Sequence, residues 1–269
     1  MIEQIKKLEK MSKKQRKDYV IQYLLDNNIP YSIQDYDTGC NVFSLPEKLP
    51  FIGIGSHYDF VPNSPGANDN LSALVVTLDL LMKFKEKPLE NIGVCGFFFD
   101  EEENGLVGSS AYIKEFGIEE MIGLYNMELV GSGNIVALWS VDSSDDSFLL
   151  KTIERMADEK DIGHYRFDNI ITNNADHSSF RQAGLIDSFT ITSITMKDIE
   201  VAGEYYEAIA KRVSLEQLYK IMLKAPVFKH YHQPTDKAEH LDEKTLRKIS
   251  NLIEVSIKEI DEDFRWVGP

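Results

Sequence analysis

NIGVCGFFF, residues 91–99, runs directly into DEEENGLVGS, residues 100–109. The first stretch is a continuous apolar run of strand length with three phenylalanines. It reads as a central β-strand buried on both faces, the pattern of parallel sheets covered by helices. Four consecutive acids usually mark a solvated surface. Here they follow a strand that has no open face, so its end should deliver them into a crevice.

Working outward, strands and helices alternate. Residues 2–27 predict one N-terminal helix, ended by Asn27, Asn28 and Pro30. Tyr31–Leu45 reads as strand structure turning at Asp37-Thr38-Gly39, and Phe51–Ser56 as a short strand. Asn68–Lys87 predicts a helix, with Leu71, Leu74, Leu78 and Leu81 at helical spacing. Leu106–Phe116 predicts another. Met121–Val130, Asn134–Ser140 and Ser188–Ile194 read as strands. Asp145–Glu159 predicts a helix with acids in its first turn. One helical turn is expected at Ser178–Gln182. Val213–Leu223 and Glu243–Ile260 predict amphipathic helices, the second N-capped by Asp242. No repeat or linker divides the chain. The expectation is a single α/β domain over 1–269. It is a three-layer sandwich, with helices on both faces of a mixed, mostly parallel sheet.

Composition narrows the partners. The 269 residues are 43% hydrophobic and 27% charged, ordinary values for a globular chain. Acids outnumber bases by 44 to 29, a formal net charge of −15. That field repels nucleic-acid backbones and anionic membrane surfaces, so neither is expected as a partner. Cys40 and Cys95 are too few for a disulfide framework or a cysteine-rich zinc site. The charged N-terminus, MIEQIKKLEKMSKKQRK, contains no signal-peptide apolar core, and a cytoplasmic location is expected.

Several polar clusters fall at the expected strand ends, where α/β folds collect ligands. In GSHYD (55–59), His57 offers an imidazole suited to zinc, and Asp59 could accept its second ring N–H; a loop histidine is the plainer account. In PGANDN (65–70), Asp69 is either a helix N-cap or a carboxylate able to bridge two cations. Within the acid run, Glu102 and Glu103 could divide metal binding from proton transfer. Glu128, in NMELVG (126–131), would be costly to bury without a partner cation. His230 and His232 precede HQPTD's turn (232–236) and suggest a metal ligand. Asp176 and His177, opening DHSSF (176–180), could line a pocket.

In order and at compatible separations, these six motifs resemble the M28 family of zinc peptidases, over about His57–Asp242. The resemblance implies His57 and Glu128 on one metal, Glu103 and His232 on the other, and Asp69 bridging them. It implies Glu102 as general base, Asp59 orienting His57, and a cis peptide between Asp69 and Asn70. Two Zn²⁺ per chain are implied, which Co²⁺ or Mn²⁺ could replace. Glu128 stands where many members have Asp. Residues 195–229 are long for the family and are expected to form a lid or a dimer contact.

The implied activity is metal-dependent hydrolysis of peptides, with release of N-terminal residues preferred because the acid-rich surroundings suit a cationic amine. Asp176 and His177 are the candidate substrate-binding residues. A carboxypeptidase would need a carboxylate receptor, for which Arg181 is the sole candidate. A glutaminyl-cyclase-like zinc enzyme and a non-catalytic binding protein on the same fold are the other rivals.

Overall fold

The computed structural model describes residues 1–168 and 175–264. Eight strands form one mixed sheet: β1 (Tyr31–Asp35), β2 (Cys40–Ser44), β3 (Phe51–His57), β4 (Gly93–Phe99), β5 (Met121–Met127), β6 (Ile135–Trp139), β7 (His164–Phe167) and β8 (Ser188–Ile194). Their order across the sheet is β1-β2-β4-β3-β5-β8-β6-β7. The pairs β4/β3, β3/β5, β5/β8 and β6/β7 are parallel; β1/β2, β2/β4 and β8/β6 are antiparallel.

β4 is buried on both faces, for the reason its sequence suggests. Phe98 enters a core built with α2 (Lys13–Asp26), α3 (Ser72–Glu86), α5 (Phe148–Glu159) and α9 (Glu243–Phe264). Cys95, Phe97 and Phe99 point the other way. They pack with Tyr112 of α4 (Val107–Phe116) and Phe180 of α6 (His177–Gln182). Phe97 and Phe99 stack with centroids 5.2 Å apart. Gly96 lets α3 approach: a Cβ there would lie 2.8 Å from Leu81 Cδ1. Helices thus cover both faces of the sheet. No described helix is long and apolar enough to cross a membrane.

Several local expectations differ from the structure. The N-terminal helix is two, α1 (Ile2–Leu8) and α2, because Ser12 caps a new helix in a reciprocal capping box with Gln15. The helix expected from Asn68 starts at Ser72 with Leu71 in the cap position, so Asp69 is not its N-cap; Asp69 and Asn70 have non-helical backbone angles. α5 has no acid in its first turn. Asp187, from the loop before β8, supplies the carboxylate there and accepts the N–H groups of Phe148 and Leu149 at 2.9 and 3.1 Å. The edge strand β7 and α7 (Met196–Ala210) have no counterpart in the sequence expectations. α7 precedes α8 (Leu215–Met222), so residues 195–229 hold two helices.

Candidate metal centre

Three adjacent parallel strands end at the same edge of the sheet and carry their polar residues with them. β3 ends on His57, β4 leads into Asp100–Glu103, and β5 leads into Glu128. The acid run divides in two. Asp100 turns back to Lys13 Nζ (2.9 Å) and the Cys40 N–H (3.2 Å), and Glu101 takes the Thr38 hydroxyl (2.5 Å). Both tie the run to α2 and the β1–β2 hairpin. Glu102 and Glu103 face the crevice.

Asp69 stands between two imidazoles. Its Oδ1 is 3.3 Å from His57 Nε2 and its Oδ2 is 3.2 Å from His232 Nε2. Glu128 Oε2 lies 3.4 Å from His57 Nε2, and Glu103 Oε2 lies 3.0 Å from His232 Nε2. Glu102 Oε2 is farther out, 3.9 Å from His57 Nε2. The Asp69–Asn70 peptide is cis. The chain therefore brings His57, Asp69, Glu102, Glu103, Glu128 and His232 to one crevice. His230 turns away and stacks on His240, with centroids 4.2 Å apart.

The donor atoms suit a metal better than one another. His57 Nε2, His232 Nε2 and Glu103 Oε1 are buried and make no hydrogen bond within the protein. Nitrogen and oxygen donors of two groups, His57–Asp69–Glu103 and His57–Glu102–Glu128, lie within 4.8 Å of one another. Imidazole and carboxylate together are a zinc-type donor set. The residues fit a metal centre on these grounds.

Electrostatics tell the same story. Burial raises the pKa of Glu102 well above the usual carboxylate range, with Glu128, Asp176 and Asp69 adding to the rise against His57. Burial likewise raises Glu103 and Glu128. Burial opposes charge on His57, yet Glu128, Glu102, Asp59 and Asp69 outweigh it and hold its pKa well above the ordinary value. Asp69 is also pushed up by burial, but the two imidazoles facing it bring it down to about 2. Without cations, this much buried negative charge must be offset by protons.

A supporting layer holds these ligands. Asp59 Oδ1 is 3.2 Å from His57 Nδ1, and the Asp59 carboxylate accepts the N–H groups of Glu102 and Glu103, each at 3.2 Å. Asp236 accepts the N–H groups of Asn68 (2.8 Å) and Asp69 (3.1 Å). Asn68 Oδ1 takes the Gly131 N–H, and Asn70 Nδ2 donates to the Met127 carbonyl. These contacts staple the Asp69 loop to the end of β5. Arg16 of α2, fully buried, donates to the Pro65 carbonyl at 2.5 Å and lies 4.0 Å over the Phe60 ring.

Asp236 and Arg16 are absent from the sequence-based candidates. Asp236 closes HQPTD and was open to notice there; Arg16 sits in a charged helix with no local signal. Asp176 and His177 are both fully buried, and neither lies on the wall of the large cavity beside the site. His177 Nδ1 pairs with the Thr190 hydroxyl at 2.7 Å, its ring meets Trp139 edge-on, and burial lowers its pKa to about 3. Burial raises the pKa of Asp176 to about 8, and its charge adds to the rise at Glu102.

That cavity borders the carboxylates. Asp69, Glu102 and Glu128 line it with mostly apolar residues of β6, β7, β8, α7, α8 and the following turn; Thr192 and Asp198 are polar members of that lining. Tyr231 lines it, stacked on His232 with centroids 3.7 Å apart. Burial and the neighbouring carboxylates keep its phenol protonated by raising its pKa.

The sequence model for peptidase family M28 matches residues 45–257. This chain belongs to peptidase family M28. Among curated M28-like relatives, it is 28% identical over 211 residues to Aminopeptidase YwaD of Bacillus subtilis, covering 77% of this chain and 40% of that protein. It is 27% identical over 199 residues to the Probable lipoprotein aminopeptidase LpqL of Mycobacterium tuberculosis, covering 71% of this chain and 39% of that one. The chain thus spans about two fifths of the length of these relatives. Solved structures share the fold of this M28 member. BSAP, a zinc aminopeptidase from Bacillus subtilis, superposes with a TM-score of 0.63 at 21% identity, over 82% of this chain and 50% of that one. Porphyromonas gingivalis glutaminyl cyclase gives 0.70 at 14% identity, over 90% and 88%.

Proposed function

We propose that this chain is a two-zinc aminopeptidase. The observation that carries the reading is Asp69 presenting one oxygen to each of two imidazoles, with Glu128 beside the first, Glu103 beside the second, and Glu102 somewhat farther out, 3.9 Å from His57 Nε2. Asp69, Glu128 and His57 would hold one ion; Asp69, Glu103 and His232 would hold the other. The charges of Asp69, Glu102, Glu103 and Glu128 are of the size that two divalent cations balance. Bound zinc supplies Lewis acidity, which acidifies a nucleophilic water and polarises the scissile carbonyl.

The protein's own groups do the rest. Glu102 accepts the proton of the attacking water and passes it to the leaving amine; its raised pKa lets it carry that proton between the two steps. Asp59 holds His57 in the tautomer that keeps Nε2 free for the metal. Tyr231, kept neutral, is placed on the cavity wall as a donor for the developing oxyanion. The surrounding carboxylates hold the substrate's free α-amine.

The amino end is favoured over the carboxyl end by the fate of Arg181. Its guanidinium is spent on the Ser140 carbonyl (2.6 Å) and Asp145 (3.0 Å). Among the described residues, no lysine or arginine lines the cavity, so none of them offers a cationic receptor for a C-terminal carboxylate.

The test is elemental analysis of the purified protein together with a screen of aminoacyl and N-acetyl-aminoacyl chromogenic substrates in added zinc. Two equivalents of zinc and cleavage of the free-amine series alone are expected. One equivalent with cyclisation of an N-terminal glutamine would replace the proposal with a cyclase, and cleavage from the carboxyl end with a carboxypeptidase.

A further inference from the structure

We infer that Glu101 and Thr38 are positioning residues: the turn between β1 and β2 holds Glu101 in a left-handed backbone conformation, and that conformation brings Glu102 and Glu103 into the crevice together. The inference rests on the roles proposed for Glu102 as base and Glu103 as ligand.

On an extended chain, consecutive side chains point to opposite faces. Glu102 and Glu103 are consecutive, yet both reach the cluster. Glu102 Oε2 is 3.9 Å from His57 Nε2, and Glu103 Oε2 is 3.0 Å from His232 Nε2. The chain leaves the extended path at Glu101, whose φ is +58° less one degree, that is +57°. A turn follows at once, in which the Glu102 carbonyl accepts the N–H groups of Gly105 and Leu106, each at 3.0 Å. The left-handed region suits glycine; a side chain there crowds the neighbouring carbonyl. Glutamate needs outside support to stay in it.

The β1–β2 turn supplies that support on both sides of the strained bond. The Tyr36 hydroxyl donates to the Asp100 carbonyl at 3.1 Å, which fixes the peptide entering Glu101. The Thr38 hydroxyl donates to Glu101 Oε2 at 2.5 Å, which fixes the side chain leaving it. The turn fits closely against the loop: a Cβ on Gly39 would lie 2.7 Å from Tyr36 Oη and 2.8 Å from Asp100 Oδ2. Glu101 is itself buried, and its carbonyl accepts the Val107 N–H at 3.1 Å, at the start of α4. Neither Glu101 nor Thr38 is one of the donor groups gathered at the crevice, so both act through the backbone of the loop.

The test compares Glu101→Ala, Glu101→Gly and Thr38→Val. Alanine and glycine both remove the carboxylate, but only glycine accepts the left-handed conformation unaided. Thr38→Val leaves the glutamate unsupported. One measurement is kcat and kcat/KM of the zinc-loaded protein on the aminoacyl p-nitroanilide that the unaltered chain cleaves fastest. The other is zinc affinity by chelator competition. Glu101→Ala and Thr38→Val are expected to lower kcat and kcat/KM together by about 10–100-fold, the scale of a misplaced reacting group. They should weaken zinc binding by about 10-fold. Glu101→Gly should retain at least about 5-fold more of both than Glu101→Ala. Equal losses for alanine and glycine, a larger loss for glycine, or no loss for Thr38→Val would mean that Glu101 acts through charge or burial alone. Each overturns the inference and leaves the aminopeptidase reading intact. If Glu101→Ala does not fold, Thr38→Val against Glu101→Gly decides, because Thr38 is exposed and its substitution leaves the core untouched. If the unaltered protein cleaves no substrate, the aminopeptidase reading fails and the order of zinc affinities judges the inference. A protein that neither cleaves nor binds zinc defeats both.

Discussion

Asp59 binds the backbone N–H of Glu102 through the same oxygen, Oδ1, that faces His57 Nδ1. One carboxylate thus couples the end of β3 to the loop after β4, and so couples a metal-site imidazole to the proposed base. Asp59→Asn keeps the shape but removes the charge. Zinc affinity is expected to fall by roughly 10–100-fold, as is usual when a ligand histidine loses its carboxylate partner. Chelator competition reads the loss; an unchanged affinity would mean that Asp59 does no more than fill space.

Glu102 should separate chemistry from metal binding. Glu102→Gln is expected to retain both zinc ions and to lose about 10²–10⁴ in kcat, the usual contribution of a positioned base. Metal content by emission spectroscopy and steady-state rates are the two measurements. A variant that still turns over near the original rate removes Glu102 from that role.

Zinc uptake should expel protons. Burial disfavours charge on His232, but Asp69 and Glu103 outweigh it and raise its pKa to about 9. The metal-free imidazole is therefore protonated at pH 7, and it must be neutral to ligate. A raised pKa means affinity is lost as pH falls below about 9 and the proton competes. Calorimetric titration of the apo-protein at pH 7 in buffers of different ionisation enthalpy should register net proton release; a value of zero contradicts this account.

Away from the site, Asp187→Ala should destabilise the fold through α5. It removes the acceptor for the Phe148 and Leu149 N–H groups, a loss of about 1–2 kcal/mol on the scale of helix-cap deletions. Urea denaturation gives the shift directly. An effect near zero would mean water replaces the cap without cost.

The core offers a larger test. Phe98→Ala in β4 is expected to cost about 3–5 kcal/mol, because its ring is fully buried against the helices of one face. The same urea measurement applies, and a loss under 1 kcal/mol would deny the two-faced burial of that strand.

The parts legible in the sequence were those with a local cause. NIGVCGFFF announced a strand buried on both faces because its apolar side chains run on without alternating with polar ones. His57, Asp69, Glu102, Glu103, Glu128 and His232 stood out because each lies in a polar motif at a strand end or loop, and their order resembled a known family. Arg16 gave no such sign: its burial depends on Pro65 and Phe60, about fifty residues away. Likewise the first turn of α5 is capped from Asp187, which no local pattern around Phe148 predicts.

The sequence by itself determined the α/β architecture and the donor chemistry, since periodicity and residue type are properties of short segments. Only the tertiary structure decided which acids meet and which are diverted. Asp100 and Glu101 turn to α2 and the β1–β2 hairpin, while Glu102 and Glu103 turn inward. It also brought α7 and α8 to the same cavity as the carboxylates and closed Asp198 onto Val227. Those outcomes depend on contacts between residues distant in the chain, and a short stretch of sequence carries no record of what will pack against it.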